Sequence, residues 1–159
     1  MSKFMKTRNI IILLGAIFIL GVFLYGIIAR QEPEEPRIWG NTDVRCLPSG
    51  HQDLGVHVHP QVSVFVDGNI EIVPANIGIT SDCMAEVHTH DMTGIVHVES
   101  VDLMRADDLT LSDLFGVWGK SMEREGYDLA VFLNGERSDD PPSIILRDKD
   151  NIEIRYAKK

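Results

Sequence analysis

Residues 86–99 read Glu-Val-His-Thr-His-Asp-Met-Thr-Gly-Ile-Val-His-Val-Glu, three histidines and two glutamates at strand-like spacing. Alternation on both sides of a polar, glycine-containing centre predicts two strands, 86–90 and 95–99, joined by the turn Asp91-Met92-Thr93-Gly94. That register sets His90 opposite Ile95, His88 opposite His97 and Glu86 opposite Glu99. Directly opposed residues of an antiparallel pair have Cβ atoms roughly 5 Å apart, and positions i and i+2 point the same way. All six side chains then share one face. A slip of one residue would send one strand's set to the other face.

Imidazoles and carboxylates crowded on one patch call for a cation, and they are ligands that zinc, copper, iron and nickel accept. Upstream, His57 and His59 stand in the valine-rich run 56–66, and all six histidines fall between positions 51 and 97. The expected metal ligands are His57, His59, His88, His90 and His97. Glu86, Asp91 and Glu99 are expected to orient imidazole N–H groups or to serve as further ligands. The plain alternative is a polar, solvated sheet face. That alternative is stronger for His57 and His59, which share a strand face with Gln61, Ser63 and Phe65, and it is the better reading for His51 in its loop. Met84 and Met92 flank the hairpin as soft contacts for Cu(I) or as packing. Convergence of the two histidine groups requires neighbouring hairpins, which local sequence does not establish.

Further out, 56–66 reads as one strand, Asp67-Gly68 as a tight turn and 69–73 as its partner, with Phe65 paired to Ile70 and Pro74 ending the second strand. Residues 75–83 read as irregular or a single helical turn. Leu111, Leu114, Phe115 and Trp118 have helical spacing, with Thr110 as N-cap, Asp113 three residues on and Gly119 as terminator. Residues 127–133 alternate into a strand ending at Asn134-Gly135. Residues 143–146 and 151–156 are expected as two short strands about the turn 147–150. Strands, one helix and strands again make an α+β fold with a mixed or antiparallel sheet.

The first thirty residues contain four basic side chains and no acids, so residues 31–159 hold 11 Lys+Arg against 24 Asp+Glu, a formal charge of −13. Such a balance argues against nucleic acid as a partner and suits a domain that attracts cations. Residues 10–29 lack any charge, and twenty residues at ~1.5 Å rise span ~30 Å. Lys3, Lys6 and Arg8 precede this stretch and Glu32, Glu34 and Glu35 follow it. The expectation is a single-pass anchor in residues 1–30 with a cytoplasmic N-terminus, a tether at 31–37 and an extracytoplasmic domain at 38–159. A cleaved signal peptide is the competing reading. Cys46 and Cys83, both outside the apolar stretch, are expected to form a disulfide in an oxidising compartment, with Cys83 as a soft metal ligand the alternative.

The stretches LTLSDLFGVWG, YDLAVFLNGERS and IILRDKDNIEIRY together resemble the second half of a β-grasp domain, and that resemblance bears on fold alone. The stretches CLPSGH, HVHPQVSVFVDG, IVPANIGI and HTHDMTGIVHVE, together with LTLSDLFGVWG again, resemble an uncharacterised family of archaeal and bacterial exported or membrane-anchored proteins. Three functions follow from the sequence. The leading one is a membrane-anchored transition-metal (copper or zinc) binding protein with a handling or accessory role. A metal-dependent enzyme with a three-histidine site and a carboxylate base is the second, though no Gly-x-Ser-x-Gly turn or other catalytic signature accompanies it. The third is an interaction subunit of a larger membrane complex.

Overall fold

Proline has no backbone N–H to give to a ladder, and Pro60 divides the expected strand 56–66 in two. β1 (Val56–Val58) lies in one sheet and β2 (Gln61–Val66) in another, so the single continuous strand is corrected. The Pro60 carbonyl still accepts from Val96 N–H at 2.9 Å, and Gln61 N–H turns instead to the Asp150 carbonyl at 2.7 Å. The computed structural model describes residues 2–28, 35–47 and 53–159. His51 and most of the expected tether, 31–34, lie outside the described residues. The chain divides into two units, Met1–Glu35 and Pro36–Lys159.

In the first unit, α1 (Ser2–Ile28) has side chains described from 13 to 26. No helix among the described residues is long and apolar enough to cross a membrane. This corrects the expected single-pass anchor, together with the cell-membrane placement and the membrane partnership that followed from it.

In the second unit, β3 (Asn69–Glu71), β4 (Val87–His88), β5 (His97–Ser100), β6 (Tyr127–Leu133), β7 (Glu136–Arg137) and β8 (Asn151–Lys158) complete the strands. One sheet runs β1-β5-β4, antiparallel throughout. The larger runs β3-β2-β8-β6-β7, with β2 parallel to β8 at its centre and the other pairs antiparallel. The turns Asp67-Gly68 and Asn134-Gly135 have positive φ at both residues, the condition for a two-residue hairpin matched to strand twist. Phe65 is opposite Ile70 as expected, although β3 stops at Glu71 rather than at 73.

Helix α2 (Leu111–Trp118) begins where the capping pattern predicts. The Thr110 hydroxyl accepts from Asp113 N–H, the Asp113 carboxylate accepts from Thr110 N–H, and Gly119 closes the helix in the left-handed conformation. Leu111, Leu114 and Phe115 enter a core shared with Val62, Val64, Val131, Ile152 and Ile154. The expected strand at 143–146 is corrected: Pro141–Ser143 forms a short 3-10 turn, and Ile145 makes an isolated bridge to Thr110. Leu111 N–H donates to the Ile144 carbonyl and Leu146 N–H to that of Leu109, so this segment's ladder partner is the approach to α2.

The disulfide Cys46–Cys83 is formed across a separation of 37 residues. It secures a short arm along the free edge of β4, where Cys46 bridges Ala85, Leu47 N–H donates to the Met84 carbonyl and Glu86 N–H donates to that of Arg45. Cys83 is thereby removed as a thiolate ligand.

Candidate metal centre

Val98 is the pivot of the small sheet, paired with Val58 on one side and Val87 on the other. These valines, with Val56 and Val96, give the sheet a buried apolar face, and alternation turns the histidines to the opposite face. His88 pairs with His97 as the hairpin pattern predicts, and Glu99 N–H donates to the Glu86 carbonyl at 2.8 Å. His57 pairs with Glu99, which places β1 beside the hairpin and settles the convergence that local sequence leaves open. Ile95 bridges Gln61 rather than standing in a ladder with His90, so the hairpin is shorter than expected.

Four imidazoles gather around that of His97. Its ring centroid is 4.5 Å from His90, 4.6 Å from His59, 5.3 Å from His88 and 6.1 Å from His57. Two triads result, His57/His59/His97 and His88/His90/His97, and in each the candidate ligand atoms lie within 4.8 Å of one another. Either could hold a metal ion.

The two triads differ in setting. The His88 side chain is fully buried, and its Nδ1 is 2.8 Å from the Ala85 carbonyl, an acceptor that fixes the proton on Nδ1. Nε2 then carries the lone pair and faces His90 Nε2 at 3.2 Å. The contact is an N–H···N hydrogen bond, and because two nitrogens bound tetrahedrally to one ion at ~2.05 Å stand roughly 3.3 Å apart, the same spacing also fits two ligands on a common metal. Burial pushes the His88 pKa down to about 4, against smaller upward effects of the Ala85 carbonyl and Glu99. His97 is also lowered, by burial first and then by His90 and His59. Both shifts favour the neutral imidazole that a metal requires.

Glu99 is fully buried and serves the other triad, with Oε1 3.1 Å from His57 Nε2 and 3.4 Å from His97 Nδ1. The remaining carboxylates are placed differently. Glu86 leaves the ladder at a bend, and its carboxylate accepts from Ser100 Oγ, Arg45 N–H and Arg105 Nη2 at 2.7, 3.1 and 3.1 Å. Its partners make it a buried structural anion. Asp91 accepts from both Thr93 N–H and Oγ1, which hold its carboxyl below the usual range, and it caps the turn. Met92 is exposed.

The turn 91–94 is pressed against β2. Gly94 has φ +82°, and a Cβ there would stand 2.2 Å from the Val62 carbonyl oxygen. Two supports escape sequence reasoning. His59 N–H donates to Asp148 Oδ1 at 3.1 Å, and Lys149 N–H donates to the His59 carbonyl at 3.3 Å, so a turn ninety residues downstream holds the outer end of β1. Thr89, fully buried, donates its hydroxyl to the Pro74 carbonyl and accepts from Ile77 N–H, tying 74–77 to the end of β4. The turn composition of 147–150 signals a bend but not its target. The chain matches no family model, no curated relative and no solved structure, so its site is defined by its own geometry.

Proposed function

We propose that this protein is a transition-metal-binding protein of copper or zinc, with a role in holding and passing the ion rather than in catalysis. The observation that carries the reading is His97 at the centre of four other imidazoles, with two triads of ligand atoms each within 4.8 Å. The 3.2 Å Nε2 separation of His88 and His90 favours a tetrahedral preference, as in zinc or Cu(I). The −13 formal charge of residues 31–159 supports attraction of cations from solution. The Cys46–Cys83 disulfide supports work in an oxidising environment. The strand order β3-β2-β8-β6-β7, with a parallel central pair and α2 between its hairpins, supports a β-grasp-like ancestry for the scaffold.

Metal content of the untagged full chain by mass spectrometry tests the proposal, alongside His88→Ala/His97→Ala. Near-stoichiometric copper or zinc, lost in the double variant, is expected. A wild-type chain that is folded yet holds no metal and takes none up on titration would refute it.

A further inference from the structure

We infer that the two triads are successive stations for one ion, an outer station of His57, His59 and His97 and an inner one of His88, His90 and His97, with His97 bound throughout the exchange. The inference rests on the metal-binding reading and adds to it a direction and a stoichiometry. A neutral imidazole carries one lone pair, so His97 completes one triad or the other, not both. Its ring stands nearly equidistant from the nearest member of each, 4.6 Å from His59 and 4.5 Å from His90.

The buried end of the pair gives the direction: His88 is fully buried, whereas His57 is 48 % exposed, His97 21 %, and His90, the other member of the inner station, is exposed. His88 is thus the one ligand of either triad closed off from water, and an ion arriving from water can be taken first by His57 and His59 beside the Glu99 carboxylate, whose Oε1 is 3.1 Å from His57 Nε2. That carboxylate offsets the cation's charge while it still keeps part of its hydration. Exchanging His57 and His59 for His90 and His88, one ligand at a time, carries the ion inward without leaving it uncoordinated. His88 waits with its Nδ1 proton fixed on the Ala85 carbonyl at 2.8 Å and its other nitrogen turned to His90. No bond to carbon is made or broken and no electron is transferred.

Cobalt(II) is the probe, since its visible spectrum reports ligand number and geometry. The metal-free full chain is titrated at equilibrium and then mixed rapidly with the ion. One equivalent of cobalt per chain is expected. His57→Ala/His59→Ala is expected to reach the same spectrum and stoichiometry but to load about tenfold more slowly, having lost the outer station that concentrates the ion. His90→Ala, at an exposed position that leaves the fold intact, is expected to hold one equivalent with an altered spectrum and to yield it to a chelator about tenfold faster. Two equivalents bound at once by the wild type would overturn the shared-ligand scheme, as would an unchanged loading rate in His57→Ala/His59→Ala. Absence of any cobalt, copper or zinc binding by the folded wild type would overturn the parent proposal as well, whereas the first two results leave it standing.

Discussion

His88 shows how one candidate ligand bears on stability. Its imidazole is held neutral in the fold, with a pKa near 4 against an ordinary 6.5, because burial disfavours the cation. Between those values the unfolded chain binds a proton that the folded chain refuses. Stability from this group is therefore fully present above pH 6.5 and is lost as pH falls toward 4, by about 3 kcal/mol in all. Urea midpoints of the metal-free protein between pH 7 and 4 are expected to fall accordingly, and His88→Gln is expected to flatten much of that slope. A pH-independent midpoint in the wild type would contradict the assignment. The candidate ligands were legible at this scale because histidine is scarce and here clustered. The partners of Glu86 were not legible, because one of them, Arg105, lies 19 residues on and no periodicity links the two.

Among elements, the β4–β5 hairpin was legible in register, since a period of two with one apolar face admits a single alignment. Its supports were not. The turn at 91–94 depends on a close approach to β2 that only a glycine permits, and Gly94→Ala places a methyl group against a backbone oxygen in a conformation that L-residues avoid. We expect a loss of about 3 kcal/mol in denaturant unfolding, with a matching loss of metal affinity as the hairpin rotates. Wild-type stability in that variant would show the turn to be free to move away from β2. Helix α2 was legible from capping and spacing alone. Residues 56–66 were misread as one strand because the valine pattern continues in phase through Pro60, and only the missing N–H of that proline marks the change of sheet.

At the scale of the molecule, the long-range pairings escape the sequence. Nothing in residues 61–66 specifies that 151–156 will lie parallel beside them, since both are short alternating strands with several compatible neighbours. The disulfide was inferable from the count of two cysteines. Its mechanical role, closing the arm over the edge of β4, required the fold. Cys46→Ser/Cys83→Ser is expected to lose roughly 2–4 kcal/mol of stability and to expose that edge, read as faster amide exchange at Leu47 and Glu86, whose N–H groups bridge the arm and the edge. Exchange unchanged from wild type would assign the closure to the backbone bonds of Arg45 and Leu47 alone. The central parallel pair has a temporal consequence. β8 follows every other strand in the sequence, yet it occupies the middle of the larger sheet, and the turn preceding it carries Asp148 and Lys149, which hold the backbone of His59. A chain still emerging from the ribosome therefore has its histidines made long before it can arrange them, so the candidate site is assembled only once β8 has been made.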